Sequence, residues 1–254
     1  MKELNRIYNE DFLQGIKEIE DGSIDMILTD LPYGTTNNKW DVIIPFDIMW
    51  HEFERVIKDN GAIVLTCSQP FTTKLNFSNL KLFRYEYIWI KNNVTGFQNA
   101  NRMPMKKHEN ISVFYKKLPT YNPQGLKKCG KKIVNKSTNS TNWHEMKNRT
   151  YVQKYTNYPN QLIKASIKKH KDLIRFHPTQ KPVELFEYLI KTYTNEREIV
   201  LDICMGSGTT AHACLRCNRQ YIGFEKDKKY YDQSMERLDL YHKLKEEYEN
   251  NDVF

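Results

Sequence analysis

Apolar runs of strand length alternate with segments of helical spacing at both ends of this chain, and that alternation restricts its fold more than any other feature. In the first third, "SIDMILT" reads as a buried strand. "PFDIMWHEFERVIKD" then places apolar residues at helical spacing, with Pro45 where a first turn tolerates it, and "GAIVLTC" reads as a second strand. After Pro182 the order returns as helix "VELFEYLIKTY", strand "EIVLDIC", helix "AHACLRC", strand "YIGFE" and an amphipathic helix from about Lys228. Strands joined through helices pair in parallel, so the pattern predicts an α/β protein built on a doubly wound, mostly parallel sheet. "YEYIWIK" and "ENISVFYKK" add two further strands.

Between the two α/β halves, residues 117–176 carry no sustained periodicity and are expected to form an irregular insertion. The division is therefore 1–116, 117–176 and 177–254, with the outer two as halves of one domain. Charge singles out the same middle region. Residues 91–182 hold 20 Lys/Arg against three acids, Glu109, Glu145 and Asp172, whereas the rest of the chain carries 19 Lys/Arg and 28 Asp/Glu. A concentrated positive excess between acidic segments is the footprint of a polyanion site. The candidate nucleic-acid contacts are Arg102, Lys106, Lys107, Lys127, Lys128, Lys131, Lys132, Trp143 and Arg149.

The N-terminus is too polar for a signal peptide, and no run approaches the roughly 18 apolar residues that a bilayer span needs. The expectation is a cytoplasmic protein with no membrane partner. Five cysteines form no disulfide framework, and "CLRC" at 214–217 lacks a second pair to complete a zinc site, so core packing is expected and no metal.

The second half carries the cofactor signal. A strand ending in Asp202, then "MGSGTT" and a helix, brings glycine-flanked N–H groups beside a helix start, where a polar group of a ligand can approach closely. The next strand ends in Glu225, placed to accept from both hydroxyls of a ribose. This arrangement indicates a nucleoside cofactor without separating NAD from S-adenosylmethionine. In the first half, "DLPY" (Asp30, Leu31, Pro32, Tyr33) ends its strand as "DICMGSG" ends the other, so both meet at the carboxyl edge of a parallel sheet.

Together these stretches resemble the amino-methyltransferases of DNA, whose signature is Asp/Asn/Ser-Pro-Pro-Tyr/Phe/Trp. "FHPTQKPVELF" looks like the segment that closes over the methionine end of S-adenosyl-L-methionine, and "NEDFLQGI" like the one whose acid reaches the cofactor adenine. "HENISVFYKK" and "TYNPQ" match further family stretches. The order, tetrapeptide first and cofactor loop last, is that of the permuted β group with a Rossmann-like methyltransferase fold, in which the middle region is the target-recognition part. This chain departs from the signature at Leu31, where proline is usual; its carbonyl is still offered, and preceding Pro32 it stays extended.

The resemblance implies S-adenosyl-L-methionine as cofactor and the exocyclic N6 of a flipped-out adenine in double-stranded DNA as target. N4 of cytosine and an RNA adenine are the alternatives. The Asp30 carboxylate and Leu31 carbonyl would accept the amino hydrogens, Pro32 would stiffen the turn and Tyr33 would stack on the base. Asp11 would accept from the cofactor's adenine, and Glu225 would hold the ribose. Gly206, Ser207, Gly208 and Thr209 would line the methionine portion, supported by Asp202. Thr179, Gln180 and Lys181 would close the site, with Lys181 paired to the cofactor carboxylate. A homodimer and a separate cognate restriction endonuclease are the further candidate partners. An NAD-dependent oxidoreductase would leave Asp-Leu-Pro-Tyr and the basic region without a purpose. A non-catalytic nucleic-acid-binding module would bind DNA but not the cofactor.

Overall fold

A computed structural model of the chain describes residues 2–136, 150–165 and 180–251. They fall into two compact units, one formed by Met1–Asn122 with Gln161–Phe254, the other by Pro123–Asn160.

The larger unit is built on an eight-stranded sheet. In chain order its elements are β1 (Arg6–Tyr8), α1 (Phe12–Gly15), β2 (Ile24–Asp30), α2 (Phe46–Val56), β3 (Ile57–Cys67), α3 (Phe71–Ser78), β4 (Phe83–Thr95) and β5 (Lys106–Phe114). The smaller unit contributes β6 (Lys127–Lys136) and β7 (Thr150–Thr156). The larger one then resumes with β8 (Leu162–Ile163), α4 (Val183–Tyr193), β9 (Ile199–Asp202), α5 (Thr209–Arg216), β10 (Gln220–Phe224) and α6 (Lys228–Asn251). The strand order is β1-β10-β9-β2-β3-β5-β4-β8, and only β5 runs against its neighbours.

Alternation along the central strands explains the two layers. In β2, Met26 and Leu28 join the core cluster that takes in Leu185, Phe186 and Leu189 of α4 and Ala211, Ala213 and Cys214 of α5. Ile27 points to the other cluster, with Phe53 of α2 and Leu75 of α3. β3 divides in the same way, with Ala62 and Val64 to one side and Ile63 and Leu65 to the other. A strand covered on both faces reads as a continuous apolar run, which is why "DMILT" showed no polar alternation. Helix α2 buries Met49, Trp50, Phe53 and Val56, one stripe at helical spacing.

The insertion departs from the expected irregular 117–176. β6 and β7 pair antiparallel from Lys127↔Thr156 to Lys136↔Thr150, with a register shift between Lys128 and Ile133. The compact unit is narrower, Pro123–Asn160, and Leu162–Ile163 return to the main sheet beside β4. Lysines interrupt the apolar residues of "KKCGKKIVNK" and "TYVQKYT", and Val134 and Val152 are exposed, so a periodicity reading does not register this ladder. Cys214 and Cys217 are buried free thiols in the core, which accounts for "CLRC". Among the described residues, no cluster of three or more His, Cys, Asp or Glu is arranged to hold a metal, and no helix is long and apolar enough to cross a membrane.

Candidate active site

β2 and β9 are neighbours, yet the chain leaves them in opposite directions: β2 passes through α2 to β3 on one side, and β9 through α5 to β10 on the other. Such a switch point opens a crevice outside the carboxyl ends of the two strands. Those ends are Asp30 and Asp202, and both line a cavity of about 270 Å³. Asp11, Pro32, Gln180, Lys181, Gly206, Ser207, Thr209 and Glu225 also line it. Leu31, Tyr33 and Gly208 do not. The Leu31 side chain is buried in the α2 core, and Gly208 faces Ser234 of α6 instead.

Asp30 is held by three donors. Its Oδ1 accepts from the Tyr33 hydroxyl at 2.8 Å and from the Thr66 hydroxyl, and its Oδ2 accepts from Lys181 Nζ at 2.6 Å. Lys181 also lies 3.4 Å from Glu109 Oε2, and Glu109 Oε1 is 3.2 Å from Lys91. Burial opposes the charge on Lys181, but Asp30 and Glu109 outweigh it and hold the ammonium pKa above its ordinary value. Lys181, expected to pair with the cofactor carboxylate, is ion-paired with Asp30 in this structure. The Tyr33 ring stacks on Phe71 at 5.4 Å between centroids; burial, then Asp30 and Glu109, push its phenol well above the usual range.

The loop after Pro32 is shaped by Asp41, which accepts from the N–H groups of Gly34, Thr35 and Thr36 at 2.8, 2.9 and 2.7 Å. Burial alone would raise the Asp41 pKa, yet these bonds and the Thr36 hydroxyl bring it below the ordinary carboxylate value. The same loop sets Trp40 in the cavity wall, edge-on to Tyr230 at 6.4 Å.

On the β9 side, Gly206 and Gly208 have φ of +52° and +75°, the left-handed region that favours glycine. Glu225 accepts from Gly206 N and from Asp227 N, each at 2.8 Å, so the acid at the end of β10 ties the glycine loop to its own strand. Burial raises its pKa and the two N–H groups oppose that. Asp202 accepts from Cys204 N at 2.9 Å and from the Thr210 hydroxyl. Burial pushes its carboxyl up to about 6, against the pull of those donors. Asp11 caps α1 through Leu13 N at 3.0 Å. Behind the loop, the buried Arg237 Nη1 donates to the Ser207 carbonyl at 2.9 Å and to Thr209 Oγ1 at 3.1 Å.

Thr66, Asp41, Glu109 and Arg237 escaped the sequence reading. Glu109 stood inside "HENISVFYKK" and Asp41 directly follows Trp40, but no local pattern marks an acid that will pair across strands. Arg102, Lys106 and Lys107 lie exposed on the β4–β5 hairpin, and Lys127 and Lys128 lie exposed at the start of β6, which also contains Lys131 and Lys132. Thr179, Trp143 and Arg149 lie outside the described residues.

Residues 24–236 match the family model described as DNA methylase. Type II methyltransferase M.HpaI of Haemophilus parainfluenzae is 30% identical over 248 residues, covering 92% of this chain and 74% of that protein. DNA adenine methyltransferase YhdJ of Escherichia coli K12 is 27% identical, with 94% and 84% covered. Among solved structures, the M1.HpyAVI–SAM complex superposes with a TM-score of 0.60 at 25% identity, covering 91% of this chain and 98% of that one. The cytosine-N4-specific PvuII DNA methyltransferase gives 0.67 at 15% identity, covering 91% and 85%, a likeness of fold alone.

Proposed function

Because this chain belongs to the DNA methylase family of N6/N4 amino-methyltransferases, we propose that it methylates the exocyclic N6 of adenine within a specific site of double-stranded DNA. The observation that carries the reading is Asp30 at the switch point, fixed by Tyr33, Thr66 and Lys181 on the wall of the cavity. A carboxylate has about four acceptor positions, so three protein donors leave one for an incoming amino group.

The cavity suits S-adenosyl-L-methionine. Its wall holds five carboxylates, Glu10, Asp11, Asp30, Asp202 and Glu225, against Lys181 and Lys226, which favours a cationic ligand and disfavours the pyrophosphate of a dinucleotide. Buried Gln180 Oε1 has no partner among the described residues and is left to accept from a ligand. Glu225 and Asp11 would hold the nucleoside end, and the loop from Gly206 to Thr209 the amino-acid end. When bound, the cofactor supplies an electrophilic methyl group.

The residues of the chain prepare the nucleophile. An adenine amino nitrogen shares its lone pair with the ring, and accepting its two hydrogens at Asp30 and the Leu31 carbonyl concentrates that pair on nitrogen. As the N–C bond forms and the bond from the methyl to sulfur breaks, the amino group sheds one proton, which Asp30, with its remaining acceptor position, would take up. Pro32 keeps Leu31 extended and its carbonyl aimed. The target base must leave the duplex to reach a crevice of this kind. Aspartate at the first position of the tetrapeptide and the likeness to an adenine enzyme support N6 over cytosine N4.

The test is to express the chain in a host free of DNA methylation and sequence its DNA with detection of modified bases. N6-methyladenine confined to one sequence context is the expected result. N4-methylcytosine, or modification of RNA alone, would overturn the choice of substrate.

A further inference from the structure

β4 and β5 continue where the rest of the sheet stops. The row of paired residues that contains Asp30 runs through Thr66 and Ile111 to Tyr87, and beyond Tyr87 β4 extends to Thr95, paired with Lys106. Since β4 runs in the same direction as β2 and β3, this overhang projects from the edge that carries Asp30. At about 3.3 Å per residue, and allowing for the register shift between Ile90 and Thr95, the hairpin reaches roughly 20 Å past the row of Asp30.

The tip has a defined shape and is exposed along its length. Gly96, at φ +90°, starts a short 3-10 turn over Phe97–Asn99, and successive bonds Asn99 N to Gly96 O, Ala100 N to Phe97 O and Arg102 N to Asn99 O close it on itself. Every residue from 92 to 108 is exposed. Phe97 is 81% exposed and Met103 57%, and around them stand Arg102, Lys106 and Lys107 with no acid between residues 92 and 108. An ordered apolar tip rimmed by polar groups marks an interaction surface. The charge selects the partner: a contact between two copies of this tip would gather like charges, whereas a polyanion neutralises them.

We propose that the β4–β5 hairpin tip enters duplex DNA beside the target base, with Phe97 as an apolar wedge that fills the space the extruded base leaves and Arg102, Lys106 and Lys107 on the flanking phosphates. The inference rests on the methyltransferase reading and deepens it by assigning the residue that holds the duplex open. Extrusion requires unpairing and unstacking, and apolar side chains inserted at a base step are one way to compensate for the lost stacking.

The experiment compares wild type, Phe97→Ala and Phe97→Leu on two DNA duplexes that differ only opposite the target base, one fully paired and one with an abasic position there. Phe97→Ala is expected to lower kcat/KM on the paired duplex by roughly tenfold or more while staying within about threefold of wild type on the other, where extrusion is already easy. Phe97→Leu, which keeps an apolar wedge, should recover much of the loss. An equal defect on both duplexes, or none on either, would overturn the wedge. So would a change of oligomeric state with unaltered methylation, which would mark the tip as a contact between copies. Wild type inactive on both duplexes would refute the methyltransferase reading itself, and the wedge with it.

Discussion

Lys181 Nζ lies 2.6 Å from Asp30 Oδ2 although 151 residues of chain separate the two, and the same ammonium lies 3.4 Å from Glu109. Asp30→Asn keeps the side-chain shape and one acceptor oxygen but removes the charge that concentrates the amino lone pair. Methyl transfer in single-turnover assays should fall by on the order of 10²- to 10³-fold, the scale for losing one preorganised electrostatic group. Cofactor affinity by calorimetry should change little, and Glu109 should keep Lys181 paired. Turnover within a fewfold of wild type would remove Asp30 from the reaction.

Arg237 is a buried cation whose Nε and Nη2 have no hydrogen-bond partner among the described residues, and burial lowers its pKa to about 10. Replacing such a group by an apolar side chain relieves a desolvation cost, so Arg237→Met should leave thermal stability nearly unchanged. The bonds to the Ser207 carbonyl and Thr209 hydroxyl would be lost, however. S-adenosyl-L-methionine binding should then weaken roughly tenfold, the equivalent of about one such bond to a charged group. A large drop in melting temperature with unaltered cofactor affinity would show that Arg237 serves the fold instead of the loop.

His212 is buried against Tyr241, and burial, then Arg237 and Arg216, lower its pKa to about 3 from an ordinary 6.5. The unfolded chain takes up this proton below pH 6.5 while the folded one refuses it until near pH 3. The contribution to stability is therefore whole above 6.5 and is lost as pH falls through that window. His212→Phe removes the group. In urea unfolding at pH 7 and pH 5, wild type should lose roughly 2 kcal/mol more than the variant, from about 1.4 kcal/mol per pH unit below 6.5. Parallel losses in the two proteins would refute the assignment.

Lys127 and Lys128 stand exposed at the start of β6, paired in register with Thr156 and Tyr155. If they neutralise phosphates, Lys127→Ala with Lys128→Ala should lower the slope of log K against log salt for DNA binding by about two and weaken all sequences alike. Cofactor affinity should not respond. An unaltered slope would leave this part of β6 as a solvated face and move DNA recognition elsewhere.

The sequence by itself determined the layered α/β architecture, because the central part of β2, the second half of β3 and most of β9 are largely apolar runs and α2 keeps an apolar stripe, and both patterns record which local face is covered. It also determined both walls of the crevice. Asp30 and Asp202 close their strands, and Gly206 and Gly208 stand where the backbone turns to positive φ, all properties of a few adjacent residues. Only the tertiary structure decided what each charge does. Lys181 and Glu109 reach Asp30, Arg237 reaches Ser207, and Asp41 collects three N–H groups through contacts whose energy depends on distance and burial, neither of which leaves a period in the chain. The same limit hid β6 and β7: their ladder pairs backbone groups that every residue carries, and lysines break up the apolar period along both strands.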